Sequence, residues 1–467
     1  MKQKRRFLKK ISIISTFGGL LFGYDSGVIN GALTYMKRKD QLNLTPLTEG
    51  IVTSSLLIGA AFGSILGGHL SDKFGRRTII RVLSIIFFFG ALGCAFSPDA
   101  SVMIACRFIL GLAVGGASVI VPTFLAEMAP THLRGSIVAQ DQLMIVTGQL
   151  LAYVFNAILG NLIGDPGVWR YMLTVASIPA VILWFGMLVV PETPRWLAAN
   201  GKTSKALEIL KQVREQKEAE AEFREIQKTI EAEKHLDRAT LKDLGIPWIR
   251  RLILIGCAVG ITQQIAGINI MMYYGTTILE ESGFGVKVAL IANMANGAMS
   301  VFASWVYMKF MANRCGRKTL LIFGYTGTTL TMLAMFIITR MLAGASILPY
   351  LVVTLTMVYL AVFQSTLGPI TWLVLSEIFP LRIRGIGFGI ATFCSWMANF
   401  TVGLTFPILI SKNGLSNTFL VFVVTGVICL LNACIFVPET RGKSLEQLEE
   451  SFRNYKTEIP NVDVSVK

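Results

Sequence analysis

Apolar runs of roughly twenty residues recur along this chain, each closed by a short polar or charged stretch. Six lie at residues 11–33, 50–71, 79–97, 101–122, 136–160 and 169–190, and six more at 250–278, 288–311, 318–341, 347–375, 385–408 and 417–437. A helix rises about 1.5 Å per residue, so a run of about twenty crosses the ~30 Å hydrocarbon layer of a bilayer. The pattern predicts an all-α membrane protein with twelve transmembrane helices. Between the sixth and seventh runs the pattern reverses: Ala206 to Lys234 is rich in Glu, Lys, Ala and Leu and reads as solvated helices. The expected division is a six-helix half over 1–190, a helical linker over 191–249, a second six-helix half over 250–437 and a polar tail over 438–467.

Composition supports a membrane chain and removes other classes. The chain of 467 residues is 53% hydrophobic and 15% charged, with a mean hydropathy of +0.61. Soluble domains carry about 25% charged residues, and here residues 191–250 alone hold twelve of the 43 basic and eleven of the 28 acidic residues. What remains is too little charge to coat a soluble enzyme. The net charge of +15 is spread over alternate loops, at Lys2 to Lys10, Lys73 to Arg81 and Arg314 to Lys318. That is the positive-inside bias and not a nucleic-acid surface. It places both termini, the linker and the tail on the cytoplasmic side of the cell membrane. Lys37, Arg38 and Lys39 go against the bias. The basic, then apolar, N-terminus has the outline of a signal peptide, but its run is long and carries Asp25, so it reads as the first span. Scattered cysteines and histidines form no ligand spacing, and Gly201-Lys202-Thr203 lacks the earlier glycine of a phosphate loop. No cofactor, metal or enzymatic chemistry is expected, and the working unit is taken as the monomer.

Three motifs occur twice in the same order. Asp72-Lys73-Phe74-Gly75-Arg76-Arg77 recurs as Asn313-Arg314-Cys315-Gly316-Arg317-Lys318. Glu127, Pro130, Arg134 and Gly135 recur as Glu377, Pro380, Arg384 and Gly385, and Val190-Pro191-Glu192-Thr193 as Val437-Pro438-Glu439-Thr440. Two related halves of the same orientation around a midplane site are a transporter architecture.

The polar residues inside the apolar runs are the candidate chemistry. Asp25 in the first span and Arg107 in the fourth are a carboxylate and a permanent cation at bilayer depth, where charge is costly and usually functional. As a pair they would let protonation of Asp25 release Arg107; a static brace between spans is the alternative. Gln142 and Gln149 share a face of the fifth span, Gln263, Gln264 and Asn269 open the seventh, Trp372 lies in the tenth, and Trp396 and Asn399 share a face of the eleventh. Amides both donate to and accept from hydroxyls, and indoles stack on C–H faces, so this set suits an uncharged polyol. Gln264 and Asn269 point apart on an ideal helix, so a backbone break near Gly267 is needed for both to face one site. A third set, Asp72, Arg76, Arg77, Glu127 and Arg134 with Arg314, Arg317, Glu377, Arg382 and Arg384, carries both signs at inner helix ends and reads as a gating network. Asn313 in place of the acid Asp72 predicts a weaker second copy.

Phe22-Gly23-Tyr24-Asp25, the Asp72 to Arg77 motif, Arg107 with Gly111, Pro191 to Trp196, Gln263-Gln264 with Gly267 and Asn269, and Pro438-Glu439-Thr440-Arg441-Gly442 together resemble the sugar porter family of the major facilitator superfamily. Within it the chain is most similar to bacterial myo-inositol and sugar proton symporters. The resemblance implies the Asp25–Arg107 pairing of proton-coupled members and sugar contacts at Gln142, Gln263, Gln264, Asn269, Tyr273, Trp372 and Trp396. Ser395 stands where members often have an amide, and ungapped spacing from Asn313 places Val301 where they often have an asparagine, with Asn293 and Asn296 nearby. The expected function is uptake of a neutral polyol or monosaccharide, myo-inositol first on the resemblance alone, with a proton. A facilitative uniporter and a non-transporting sugar sensor are the alternatives.

Overall fold

The computed structural model describes residues 2–130, 133–235, 245–311, 315–379 and 383–441. The described residues form helices and turns without strands. The first half contains α1 (Lys2–Met36), α2 (Pro46–Phe74), α3 (Arg76–Ala95), α4 (Ala100–Met128), α5 (Arg134–Leu162) and a sixth span divided into α6 (Val168–Val175) and α7 (Ser177–Val189). The linker forms α8 (Pro194–Ala199), α9 (Thr203–Val213) and α10 (Gln216–His235). In the second half, α11 (Pro247–Gln263) and α12 (Asn269–Glu281) flank a π turn at Gln264–Ile268 and make the seventh span. Then follow α13 (Val286–Val306) with a π turn at Tyr307–Met311, α14 (Arg317–Met341), and α15 (Leu348–Ser365) with α16 (Leu367–Ile378) as the tenth span. Finally α17 (Arg384–Ile435) has 52 residues, about twice what one crossing needs, and Gly414 at φ 72° breaks it into two spans. The described residues thus supply the twelve expected spans in two six-helix halves.

Two boundaries differ from the apolar pattern for a physical reason. The first helix begins at Lys2, well before the apolar run, because its basic turn is docked: Lys4 Nζ donates to the Arg214 carbonyl at 2.7 Å. The eleventh and twelfth spans join through the single left-handed glycine Gly414, so helix also occupies residues 409–416 between the two apolar runs. Side-chain caps open α2, α4 and α8. Thr45 and Thr48 form a capping box ahead of Pro46, and Asp99 accepts from the Val102 N–H at 3.0 Å.

Small residues let the helices approach closely. Gly19, Gly23, Gly27 and Gly31 fall every fourth position on α1 and face Asp141, Ile145, Ala152 and Asn156 of α5. A Cβ on Gly23 would run into the Ile145 carbonyl, and α2 and α4 meet similarly at Gly111 against the Leu56 carbonyl. Gly23→Ala is expected to cost about 3 kcal/mol, the upper range for overpacking, because the obstacle is rigid backbone. A thermal unfolding midpoint in detergent equal to that of wild type would contradict this packing.

The halves meet through α1 with α12, α2 with α17, and α5 with α13. The polar part of this seam lies toward the end remote from the N-terminus. Asn30 donates to the Met272 carbonyl at 2.7 Å and accepts from the Thr276 N–H at 2.7 Å and hydroxyl at 2.6 Å. Asn293 donates to the Thr276 hydroxyl at 2.8 Å, and the Tyr153 hydroxyl reaches the Met272 carbonyl at 3.2 Å. At its outer edge Lys37 pairs with Glu280 at 3.2 Å and Thr34 donates to the same carboxylate at 2.8 Å. The linker helices pack on one another through Leu197, Ala198, Ala206 and Phe223. They attach to the first half, where Trp196 Nε1 donates to the Asp72 carbonyl at 2.8 Å and buried Arg214 donates to the Met128 carbonyl at 2.8 Å.

Candidate transport site

Asp25 and Arg107 meet at the centre of the first half. Arg107 Nη1 lies 3.0 and 3.3 Å from the two Asp25 oxygens, and its Nε donates to the Val52 carbonyl of α2 at 3.4 Å. Both side chains are about 2% exposed. Desolvation of two ions nearly cancels their attraction, so such a pair adds little net stability, yet removing one partner costs about 3–5 kcal/mol. A buried pair of this kind suits a switch that protonation opens.

The amides of the seventh span come together because its helix breaks where the spacing requires. Gly267 adopts φ 102° inside the π turn, a conformation closed to most side chains, with Met332 Cε and Phe422 Cδ1 at 2.8 and 3.2 Å from where a Cβ would sit. Asn269 Nδ2 then donates to Gln264 Oε1 at 2.6 Å. Gln264 Nε2 donates to Gln263 Oε1 at 3.2 Å and to the Ser395 hydroxyl at 2.9 Å, while Gln263 donates to the Gly368 carbonyl at 3.3 Å. Asn399 donates to the Tyr273 hydroxyl at 3.4 Å. Trp396 lies beside them on α17, its ring 5.9 Å from Phe22 of α1, so the group reaches across to the first half.

The remaining candidates are placed differently. Gln149 is buried on α5 with Oε1 unpaired, and Gln142 is half-buried a little under two turns earlier. Trp372 on α16 packs on Phe388, 6.4 Å between ring centres, and not on the amide chain. Buried Asn399 Oδ1, Gln149 Oε1 and Trp396 Nε1 have no hydrogen-bond partner. Unpaired buried polar atoms are costly, and here two acceptors and one donor await hydroxyls, which are both.

Sequence reasoning missed several neighbours. Phe22 appeared only within a motif, and Asn30, Thr276 and Tyr153 gave no signal because their role is to bridge halves. The spacing that led to Val301 also fails: the π turn at Tyr307–Met311 takes up an extra residue, rotating everything before it by about 100°. Buried Ser300, not Val301, then occupies the counted direction, with Asn296 and Asn293 buried one and two turns away.

The charged set forms two matching clusters. In the first half Arg76 pairs with Asp72 at 2.9 Å and with Glu127 at 3.1 Å, and Thr193 donates to Glu127. Arg77 donates to the Met187 and Leu188 carbonyls at 2.9 and 2.7 Å. In the second half Arg317, the repeat of Arg76, pairs with Glu377 at 3.1 Å, and Thr440 donates to Glu377. The repeated Pro-Glu-Thr motif has a mechanical explanation. Glu192 accepts from the Arg77 N–H at 3.1 Å, and Glu439 accepts from those of Arg317 and Lys318 at 2.9 and 3.2 Å, so each glutamate caps the start of α3 or α14. Partial burial pushes the Glu439 carboxyl up, but the N–H groups of Arg441, Arg317 and Lys318 and the Arg317 charge outweigh it and hold the carboxyl below the usual glutamate value. Each of these ion pairs closes within one half. Arg314, Arg382 and Asn313 lie outside the described residues, as do the side chains of Arg134 and Arg384.

Comparison with known proteins decides the family. The profile described as "Sugar (and other) transporter" matches residues 11–452. The chain belongs to the sugar transporter family. It is a transporter and not an enzyme. The chain is 54% identical over 450 residues to the major myo-inositol transporter IolT of Bacillus subtilis (strain 168), covering 96% of this chain and 95% of that protein. Among solved structures, this sugar transporter is similar to the xylose transporter XylE from E. coli in a partially occluded inward open conformation. The TM-score is 0.83 at 30% identity, over 94% of this chain and all of XylE. Against XylE, a proton:xylose symporter, bound to 6-bromo-6-deoxy-D-glucose, the TM-score is 0.78 at 30% identity, over 96% of this chain and all of that one.

Proposed function

We propose that this sugar transporter takes a neutral polyol or monosaccharide, myo-inositol first, into the cell together with a proton by alternating access. The observation that carries the reading is the buried Asp25–Arg107 pair of the first half together with the neutral amide chain of the second, accompanied by unpaired polar atoms on Gln149, Trp396 and Asn399. A proton falling through about 100 mV supplies roughly 2.3 kcal/mol, enough for about a fifty-fold gradient of a neutral solute. Gln142, Gln149, Gln263, Gln264, Asn269, Tyr273, Trp396 and Asn399 are assigned to the substrate, with Trp372 at the edge of the site. The myo-inositol preference rests on the likeness to IolT, and the proton on the pair and the likeness to XylE.

In this reading the termini, linker and tail are cytoplasmic, the halves are residues 1–190 and 250–437, and a monomer in the plasma membrane is the working unit. The seam from Asn30 to Lys37 then closes the outside, and the molecule faces inward. The two charged clusters, with Arg134, Arg314, Arg382 and Arg384, form the inner gate. Lys37, which breaks the positive-inside bias, acquires a use as an outer latch on Glu280. Lys37→Glu and Glu280→Lys are each expected to raise labelling of an outward-facing cysteine about three-fold or more, and the double swap to restore it. Single variants that label at the wild-type rate would remove the latch.

The substrate is tested by uptake into proteoliposomes under an imposed proton gradient, with myo-inositol, glucose, xylose and arabinose compared. Accumulation of myo-inositol at the lowest half-saturating concentration is expected. Preference for a pentose would move the assignment, and tight binding without flux would mark a sensor.

A further inference from the structure

Asp141 is a second carboxylate at bilayer depth in the first half, and nothing above uses it. It sits on α5 next to Gln142, is 5% exposed, and its Oδ1 has no hydrogen-bond partner. It faces the α1 backbone at Gly19, where a Cβ would come within 2.5 Å of that oxygen. About two turns before Gly19 on α1, Ser12 donates to Gln140, the neighbour of Asp141, at 2.9 Å, so the α1–α5 contact here is polar on its terminal side.

Among the described side chains, the charged groups on the elements packed against α5 are committed elsewhere or exposed. On α1, Lys4 donates to the Arg214 carbonyl, Arg6, Lys9 and Lys10 are exposed, Asp25 is bonded to Arg107, and the side chains of Lys2 and Arg5 are outside the described residues. On α4, Arg107 is held by Asp25, and Glu127 by Arg76 and Thr193. Arg170 of α6 donates to the Ala95 and Ser97 carbonyls, and Lys287 of α13 is exposed. On α5 itself the side chain of Arg134, about two turns away, is outside the described residues.

The two buried carboxyls therefore stand in opposite situations. Asp25 has a guanidinium to hold its negative charge, whereas an ionised Asp141 would be a buried charge without a cation among the described residues, which costs several kcal/mol. We propose that Asp141 is a second proton-binding group of the transport cycle, taking the proton from Asp25 and passing it to the terminal side of the membrane. The inference rests on the symport reading. Gly19 precedes Asp25 by six residues, so the separation along α1 is about 9 Å. The step moves one proton: the O–H bond on Asp25 breaks, one forms on Asp141, and the freed carboxylate re-forms its pair with Arg107. Asp141 then releases the proton to water.

The experiment compares wild type, Asp141→Asn and the smaller Asp141→Ser in proteoliposomes, measuring substrate counterflow, gradient-driven accumulation, and the dependence of both on internal pH. Counterflow within about two-fold of wild type, accumulation lowered at least ten-fold, and a flattened internal-pH profile are expected for whichever variant is recovered folded. Wild-type accumulation and an unchanged pH profile in the variants would overturn the role of Asp141 and leave symport standing. So would equal loss of counterflow and accumulation, which marks a packing residue. No gradient-driven accumulation in the wild type would instead overturn the symport reading beneath it.

Discussion

Asp25→Asn is expected to abolish gradient-driven accumulation and to keep exchange of substrate across the membrane. The amide has nearly the shape of the carboxyl and still accepts from Arg107 at the 3.0 Å position, so the geometry is kept, although the Arg107 cation loses its counter-charge and folded stability falls. What it loses is the ability to alternate between a charged and a neutral form. A transporter with this change equilibrates its solute, and an accumulation of up to about fifty-fold falls to about one. Arg107→Leu acts differently, leaving the Asp25 carboxylate buried at 2% exposure without a cation. That loss costs about 3–5 kcal/mol, and the double variant Asp25→Asn with Arg107→Leu is expected to recover part of the folded yield. Steady accumulation by Asp25→Asn would make the pair a static brace.

Gln264→Leu is expected to weaken substrate binding by about 10–100-fold, the effect of losing one or two hydrogen bonds from a desolvated site at about 1–1.5 kcal/mol each. Gln264 is the central member of its chain, accepting from Asn269 at 2.6 Å and donating to Gln263 and Ser395 at 3.2 and 2.9 Å. An apolar replacement of similar size leaves those three partners unpaired and removes an acceptor from the site. Gln263→Leu is expected to be milder, because the Gln263 amide is spent on the Gly368 carbonyl at 3.3 Å. Half-saturation for entry, measured in proteoliposomes for both variants, decides the order; equal small effects would mean that the amides serve only to join helices.

Much of this was legible in the residues, because a bilayer imposes a simple length rule on apolar runs. The break at Gly267 followed from arithmetic: a helix turns about 100° per residue, Gln264 and Asn269 had to face one site, and only glycine between them tolerates φ 102°. The Pro-Glu-Thr repeat was visible as a repeat, but its role was not, since nothing in the sequence says that Glu192 and Glu439 turn back onto the first N–H groups of α3 and α14. The same holds for Asn30 and Thr276, 246 positions apart, whose meeting depends on how two halves rest together. Counting along the eighth span failed because a π turn changes the register invisibly to composition.

The central claim is that solute and proton move together. Its most direct test is to add myo-inositol to wild-type proteoliposomes held without any ion gradient, with a pH-sensitive dye outside. The account predicts a transient rise in external pH that tracks uptake, disappears with Asp25→Asn, and is abolished by a protonophore. Uptake of myo-inositol at an unchanged external pH would contradict it.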